Sequence, residues 1–169
     1  MVYLKKPYEV NYIDYIMKPF LTVELKIISE LITEESLKYA TPGAAGLDLR
    51  AAIKQAITLG PQQTLMIPTG IAIYLKKRDV AALVLPRSGL GHKQGVVLGN
   101  LVGLIDADYQ GELKVSLWNR SHSPYEVEPL ERIAQLLIIP ILHVNFQVVD
   151  RFTSQEVRQQ DGFGSTGRR

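Results

Sequence analysis

The clearest alternation of apolar and polar positions lies in the second half of the chain. It runs from residue 112 to residue 117 and predicts a half-buried β-strand. Residues 103–105 can supply a partner strand, and residues 106–111 between them tolerate the backbone dihedrals of a tight turn. The pattern therefore predicts a β-hairpin with Asp106 and Tyr109 at its tip.

Similar short segments occupy most of the remaining chain. Alternation at residues 22–29 and other apolar segments predict strands at 22–29, 47–51, 64–68, 70–74, 81–85, 96–98, 125–127, 133–142 and 145–149. Glycines and prolines mark the connections, including a turn at residues 68–70, and helical periodicity is weak and confined to about residues 34–39. These features predict an all-β, jelly-roll-like sandwich or barrel.

The apolar run at residues 133–142 has no polar face to present to water. We expect its strand to be buried on both faces, inside the sandwich or at a subunit contact. Gln135 interrupts the run, where a polar group costs free energy unless it is hydrogen-bonded. It is either a satisfied core amide or a group that reaches a functional site.

The two ends differ in composition from this central part. Residues 1–20 combine tyrosines, lysines and prolines without a clear period, so we interpret them as an N-terminal extension rather than an arm on a neighbouring subunit. Residues 21–152 form the predicted β domain. Residues 153–169 are polar and glycine-rich, which is typical of a mobile C-terminal arm.

Composition and charge narrow the possible functions. At 169 residues, with 46% hydrophobic and 21% charged residues, the chain suits one folded domain. A net charge of +2 without long basic runs argues against nucleic acid as a partner. We expect no membrane association, because no apolar run reaches transmembrane length and no signal-peptide pattern is visible. The absence of cysteine fits a reducing, cytoplasmic location, and the three histidines lack metal-ligand spacing.

Candidate chemistry lies in residues 87–95 and in the loops around the predicted hairpin. Residues 87–95 combine an arginine, a serine and three glycines, which suits anion binding, although the segment is not a P-loop and alone could be an ordinary loop. The acidic turn at 106–111 could likewise be plain turn chemistry. Its carboxylate, aromatic ring and backbone groups could also bind a flat heterocycle with an attached sugar. Asn100 could pair with a base edge or occupy a turn.

Five segments resemble, in order, the signature motifs of the trimeric dUTP pyrophosphatases (dUTPases). They are Ala-Gly-Leu-Asp-Leu-Arg-Ala at 45–51, Pro-Arg-Ser-Gly-Leu-Gly-His-Lys-Gln-Gly at 86–95, Gly-Leu-Ile-Asp-Ala-Asp-Tyr-Gln-Gly-Glu-Leu-Lys-Val at 103–115, Glu-Arg-Ile-Ala-Gln at 131–135 and Gly-Phe-Gly-Ser-Thr-Gly at 162–167. The resemblance covers about residues 21–169. It implies a homotrimer that, with Mg²⁺, hydrolyses dUTP to dUMP and pyrophosphate. This reaction limits uracil entry into DNA and supplies dUMP for dTMP synthesis.

The resemblance also implies roles for individual residues. Asp106 would be the general base for water attack on the α-phosphate, with Arg87 and Ser88 as further catalytic residues. Asp48 would contact magnesium through water and support the hairpin. Substrate-binding roles are implied for Arg87, Ser88, Gly89 and Gln135 toward the triphosphate, Asn100 and the backbone at Gly103 and Lys114 toward uracil, and Tyr109 toward deoxyribose.

In the family each active site is shared between subunits. One subunit would give the arginine segment and Gln135, the next the Asp106 hairpin, and the third the C-terminal arm. That arm would close over the nucleotide through Arg158, Phe163, Gly164, Ser165, Thr166 and Arg168. The spacer Gln159-Gln-Asp161 departs from the family's glycine-rich pattern and is stiffer.

Two other functions remain open from the sequence. The dCTP deaminase branch of the same fold is one, although no deaminase-type catalytic glutamate pattern is found. The other is a nucleotide-binding regulatory or capsid-like jelly-roll protein that has lost hydrolysis. Nucleotide binding without turnover would establish that alternative.

Overall fold

The structure is a computed structural model that describes residues 21–154. Predictions for residues 1–20 and 155–169 therefore lie outside the described residues. These include Arg158, Phe163, Gly164, Ser165, Thr166 and Arg168 of the C-terminal arm.

Within residues 21–154, ten strands form two antiparallel four-stranded sheets and one two-stranded sheet. The first sheet has the order β1-β4-β8-β6. Its strands are β1 (Glu24–Ile27), β4 (Thr64–Tyr74), β8 (Glu112–Asn119) and β6 (Val96–Leu98).

The second sheet has the order β2-β10-β5-β7, and β3 pairs with β9. The bounds are β2 (Leu47–Arg50), β10 (Arg132–Pro140), β5 (Val80–Pro86), β7 (Gly103–Ile105), β3 (Ile57–Leu59) and β9 (Tyr125–Val127). A 3₁₀ helix at Glu34–Leu37 and the helix α1 at Ser88–Gln94 are the helices of the described chain. The predicted all-β fold is confirmed, whereas β3 was not predicted.

The apolar side chains that alternate with polar ones along β8 form one face of the core. Leu113, Val115 and Leu117 are each at most 2% exposed, as the sequence predicts. Ile67 and Ile71 of β4 are buried in the same cluster, as are Leu49 and Ile133 of the second sheet. The two large sheets therefore enclose one hydrophobic core, from whose rim the 106–111 turn projects.

The predicted hairpin at residues 103–117 is wrong in its strand pairing. β7 pairs with β5, with Gly103 opposite Val84, whereas β8 pairs with β4 and β6. The 106–111 turn therefore connects two sheets instead of two neighbouring strands. None of these three partner strands directly adjoins its own partner in sequence, so a local pattern of apolar residues could not identify them.

Two strands were predicted at residues 64–74 where the structure has one. The pairing of β4 with β8 shifts between Pro68 and Ala72, and Gly70 adopts a φ of +69° at this irregularity. The Gly70 N–H donates to Glu112 Oε1 at 3.0 Å. A local bulge, not a turn, accommodates the glycine.

The predicted glycine-rich loop after β5 contains a helix, α1. It ends at Gly95, which has a φ of +71° and donates its N–H to the Leu90 carbonyl, a common helix termination. Gly91 packs under β6, where a Cβ would lie 3.1 Å from Val97 Cγ1. Gly91 therefore permits close packing of the helix on β6, and Gly95 permits the helix to end.

The C-terminal strand predictions are confirmed only in part. β10 pairs with both β2 and β5, yet residues 137–139 are half-buried, so only the first half of the strand is enclosed within one chain. No strand forms at residues 145–149. Apolar side chains between residues 142 and 148 are largely exposed, namely Leu142 (91%), Val144 (61%), Phe146 (91%) and Val148 (97%).

Candidate functional site

One candidate cleft, here called the turn cleft, lies beside the 106–111 turn and has a volume of about 460 Å³. Side chains from β4, β7 and β8 meet there because the turn crosses from one sheet to the other. The cleft is lined by Met66, Leu104, Ile105, Asp106, Tyr109, Glu112, Leu113 and Lys114. Five of these had not been predicted as site residues, namely Met66, Leu104, Ile105, Glu112 and Leu113. Met66 could have been recognised from the sequence as an exposed apolar residue, because it lies on the outward face of a strand whose inward residues are apolar.

The polar groups of the turn cleft are partly fixed and partly free. The Tyr109 hydroxyl donates to the Glu112 carbonyl at 3.1 Å, which holds the ring over the turn. Asp106 is exposed, and no residue within 21–154 engages its carboxylate. Its backbone carbonyl accepts the Tyr109 N–H at 3.2 Å. The carboxylate is therefore free to accept a proton from a bound water.

The turn cleft also contains an open strand edge. β6 pairs only with Leu117–Asn119, so the first half of β8 has its described partner on the β4 side alone. The Ser116 carbonyl points toward the β6 side, since it accepts the Gly99 N–H. Because strand polar groups repeat every two residues, the N–H and C=O of Lys114 face the same open side. Pro68, opposite Lys114 on β4, has no N–H to offer.

Asn100 and Gly103 lie next to this cleft but not among its lining residues. Asn100 occupies an exposed turn, where its carbonyl accepts the Val102 N–H at 2.7 Å. A Cβ on Gly103 would lie 3.1 Å from Val84 Cβ and 3.7 Å from Asn100 Nδ2. Gly103 therefore allows β7 to pack tightly on β5 and leaves room for the asparagine amide.

A second candidate cleft, the arginine cleft, lies at the other edge of the second sheet and has a volume of about 310 Å³. Ser88 and Gly89 are exposed at its mouth, and a Cβ on Gly89 would meet nothing within 4 Å. The polar lining comes from the ends of β2 and β5 and from the start of β10. Its main residues are Gly46, Asp48, Arg87, Ser88, Gly89, Arg132 and Gln135.

Asp48 joins two arginines in the arginine cleft. Arg87 Nε donates to Asp48 Oδ1 at 3.0 Å, and Arg132 Nη1 donates to Asp48 Oδ2 at 3.2 Å. Arg87 Nη1 also donates to the Arg132 carbonyl at 3.2 Å. Arg132 was not predicted as a site residue, although it lies in a recognised motif beside Gln135. Both guanidinium groups are thus held side by side, a geometry suited to phosphate oxygens.

Gln135 is both a satisfied amide and a cleft residue. Its Nε2 donates to the Pro86 carbonyl at 3.1 Å, and its side chain lines the arginine cleft. A Cβ on Gly46 would lie 3.1 Å from both Gln135 Cβ and Oε1, so a side chain at position 46 would press on the amide. The two interpretations drawn from the sequence are therefore compatible.

Tyr125 begins β9, and its hydroxyl donates a hydrogen bond to the Glu131 carboxylate. Burial, reinforced by the adjacent Glu131 carboxylate, raises the pKa of the Tyr125 phenol well above its ordinary value. The other Glu131 oxygen accepts the Glu128 N–H at 3.1 Å. This pair fixes the loop that leads into β10 and hence into Arg132.

The two clefts share no lining residue. Asp106 and Tyr109 belong to one cleft and Arg87 and Ser88 to the other, so a single chain does not bring the predicted catalytic residues together. Within one chain, Asp48 contacts the two arginines, and its expected support of the 106–111 turn stays a prediction.

The donor set in the described chain does not provide a protein cage for a metal ion. Within residues 21–154, no group of three or more His, Cys, Asp or Glu residues is arranged to hold one. Both carboxylate oxygens of Asp48 are engaged by guanidinium groups. These residues fit an ion held through water and phosphate oxygens better than one held by direct protein ligands.

Within residues 21–154, no helix is long and apolar enough to cross a bilayer.

A model of the dUTPase family matches residues 33–167, which is most of the chain. The chain belongs to the dUTPase family. Deoxyuridine 5'-triphosphate nucleotidohydrolase of Laribacter hongkongensis is 57% identical over 147 residues, covering 87% of this chain and 98% of the relative. The enzyme of the same name from Neisseria meningitidis serogroup A is 57% identical over 145 residues, covering 86% and 96%. The family assignment made from the five motifs is thus confirmed.

Solved dUTPase structures share the fold. Staphylococcus bacteriophage 80alpha dUTPase with dUPNHPP is 27% identical, with a TM-score of 0.78 over 86% of this chain and 98% of that chain. A dUTPase of phage phi11, described with a structural Mg(II) ion, is 23% identical with a TM-score of 0.70 over 79% and 99%, a likeness of fold alone. The jelly-roll-like sandwich expected of a dUTPase agrees with these neighbours.

Proposed function

We propose that this protein hydrolyses dUTP to dUMP and pyrophosphate. The observation that carries the proposal is the open strand edge at Lys114, which lies in the same cleft as Asp106 and Tyr109. A pyrimidine can complete such an edge by hydrogen bonding, while its sugar and α-phosphate lie near the ring and the carboxylate.

Base selectivity follows from the polarity of that edge. The N–H and C=O of Lys114, with the Asn100 amide nearby, offer donors and acceptors that match uracil. Cytosine presents the reverse pattern at N3 and C4, so it would leave buried polar groups unpaired. Tyr109, held by the Glu112 carbonyl, lies against deoxyribose and excludes a 2′-hydroxyl.

Hydrolysis uses the free carboxylate of Asp106 as general base. It removes a proton from a water that attacks the α-phosphate, and pyrophosphate leaves on the opposite side. Arg87, Gly89 and Gln135 hold the phosphate chain in the arginine cleft. The Ser88 hydroxyl donates to oxygens on which negative charge grows.

The proposed reaction requires assembly, because the two clefts of one chain are separate. We infer a homotrimer in which the turn cleft of one subunit faces the arginine cleft of the next. The exposed apolar side chains of residues 142–148 and the half-buried end of β10 support burial against another subunit. The third subunit supplies the C-terminal arm, with Arg158, Phe163, Gly164, Ser165, Thr166 and Arg168.

We also propose that the protein is located in the cytoplasm.

We propose Mg²⁺ as the cofactor, held mainly by substrate phosphates. Bound there, the ion neutralises charge on the phosphate chain. Asp48 is the carboxylate of the arginine cleft that can accept hydrogen bonds from the ion's waters. Its lasting partners within the protein are Arg87 and Arg132.

The direct test is pyrophosphate release from dUTP, dCTP, dTTP and UTP with Mg²⁺. We expect release from dUTP alone and a fall in kcat of about 10²- to 10⁴-fold in Asp106→Asn. Asp108→Asn, a change of the same chemistry in the same exposed turn, serves as the matched control and should retain activity. Tight dUTP binding without release would favour a binding protein, and ammonia release from dCTP would favour a deaminase.

A further inference from the structure

Gly111 ends the 106–111 turn directly beneath the ring of Tyr109. A Cβ at this position would lie 2.5 Å from the Tyr109 hydroxyl oxygen, 2.7 Å from Cζ and 3.2 Å from Cε2. The first two distances are shorter than real Cβ contacts, so a side chain here would displace the phenol end of the ring. Ordinary contact begins near 3.4 Å, so the phenol end would have to move by about 0.9 Å.

The backbone does not explain the presence of glycine at this position. Among the described residues, Gly70 and Gly95 are the glycines with a left-handed φ, and Gly111 is not one of them. A left-handed φ, the usual backbone reason for glycine, is therefore not what requires glycine at position 111. What glycine provides here is space for the tyrosine ring.

The ring is also fixed from the other side. The Tyr109 hydroxyl donates to the Glu112 carbonyl at 3.1 Å, and Glu112 Oε1 accepts the Gly70 N–H of the β4 bulge at 3.0 Å. The hydrogen-bond acceptor is therefore tied to the sheet. A displaced ring would lose this bond, because the Glu112 backbone is not free to follow it.

We propose that Gly111 is a specificity-determining residue that sets the position of Tyr109 and thereby the discrimination between deoxyribose and ribose. This inference rests on the proposed function, in which the Tyr109 ring lies against the sugar. A ring moved by nearly an ångström and released from Glu112 no longer defines the space beside C2′. The 2′-hydroxyl of UTP is then tolerated.

The test compares kcat/KM for dUTP with kcat/KM for UTP in the full-length protein. In Gly111→Ala we expect the dUTP preference to fall by about tenfold or more, as positioning errors in a specificity pocket do. Tyr109→Phe keeps the ring but removes the bond to Glu112, and should give a smaller fall. A general folding defect would lower both values together and leave their ratio unchanged.

Three further variants make the result decisive. Tyr109→Ala should lower the preference at least as far as Gly111→Ala. The double variant Gly111→Ala/Tyr109→Ala should lower it no further, because the two changes act on one contact. Gly43→Ala is the matched control, since a Cβ on Gly43 meets nothing within 4 Å, and it should keep the wild-type ratio.

Two results would overturn the inference, and they separate it from the proposed function. If Gly111→Ala keeps the wild-type ratio while Tyr109→Ala loses it, Gly111 has no part in specificity and the role of Tyr109 stands. If Tyr109→Ala also keeps the ratio, the sugar contact of the proposed function is wrong as well. Failure of the wild type to release pyrophosphate from dUTP would reject the proposed reaction itself.

Discussion

Asp48 and Arg87 form an ion pair across the second sheet, with Arg87 Nε 3.0 Å from Asp48 Oδ1. The Asp48 side chain is only 16% exposed and the Arg87 side chain 30%, so water screens the pair less than it screens a surface pair. Arg132 contacts the other carboxylate oxygen at 3.2 Å. One carboxylate therefore compensates two neighbouring positive charges and fixes the direction of both.

Replacing Asp48 with asparagine should release Arg87. The amide keeps the size of the side chain but removes the negative charge, so the two guanidinium groups repel each other. We expect kcat/KM for dUTP to fall roughly tenfold to a hundredfold, as for the loss of a charge-assisted hydrogen bond of about 1.5–3 kcal/mol. The measurement is steady-state pyrophosphate release, with thermal unfolding to check the fold.

Asp79→Asn supplies the control for this change, because Asp79 is an exposed aspartate outside both clefts. It should retain wild-type activity. Wild-type kcat/KM in Asp48→Asn would show that the arginine pair needs no anionic partner.

Mixing two inactive variants should restore activity if active sites are shared. Asp106→Asn disables the turn cleft and Ser88→Ala the arginine cleft, and each leaves the other cleft intact. After unfolding and joint refolding at equal amounts, about a quarter of the sites would combine two intact halves in a closed ring of subunits. Pyrophosphate release from the mixture should recover to about that fraction.

The matched control is each variant refolded alone, which should remain inactive. Native mass spectrometry should first show that the mixture contains oligomers with both variants. If the activity of that mixture then stays at the level of the single variants, a shared site is contradicted.

Alkaline pH should destabilise the protein through Tyr125. Because the folded state raises its pKa above the ordinary value of 10.0, the unfolded chain releases the proton first as the pH rises. The contribution of Tyr125 is thus complete below about pH 10 and is lost progressively above it. The free energy of urea unfolding should fall more between pH 9 and pH 11.5 in the wild type than in Tyr125→Phe.

Tyr39→Phe, at a tyrosine that is 57% exposed, provides the control and should follow the wild type. At pH 8, Tyr125→Phe should be less stable by about 1 kcal/mol, the usual net value of one hydrogen bond. Equal losses in the wild type and Tyr125→Phe would show that this phenol does not control alkaline stability.

Strand positions could be predicted where one side of a strand faces the core. The burial of Leu113, Val115 and Leu117 follows from their period of two, and the bounds of β6 and β9 agree with the prediction. Pairing could not be predicted, because neither β7 nor β8 pairs with a strand that directly adjoins it in sequence. The bulge at Gly70 depends on Glu112, 42 residues away, and no local pattern contains that contact.

Candidate site residues were found by motif, whereas their relationships required the structure. The sequence indicated Asp48 and Arg87 separately, but not the ion pair between them or the addition of Arg132. Composition suggested a loop at residues 88–94 because glycines are common in loops, whereas here Gly91 allows a helix to approach β6. The alternation at residues 145–149 predicted a strand, yet the segment forms none and its apolar side chains are exposed, so a period of two alone does not establish a strand.

The separation of the two clefts has a consequence for how such a protein can diverge. A substitution beside Lys114 or Tyr109 changes the surface that we propose for base and sugar binding, and it leaves the lining residues of the arginine cleft unchanged. With the proposed roles of the two clefts, phosphate binding and nucleoside choice can therefore change independently within one gene. Descendants of this fold can acquire a new nucleoside preference while the arginine cleft stays as it is.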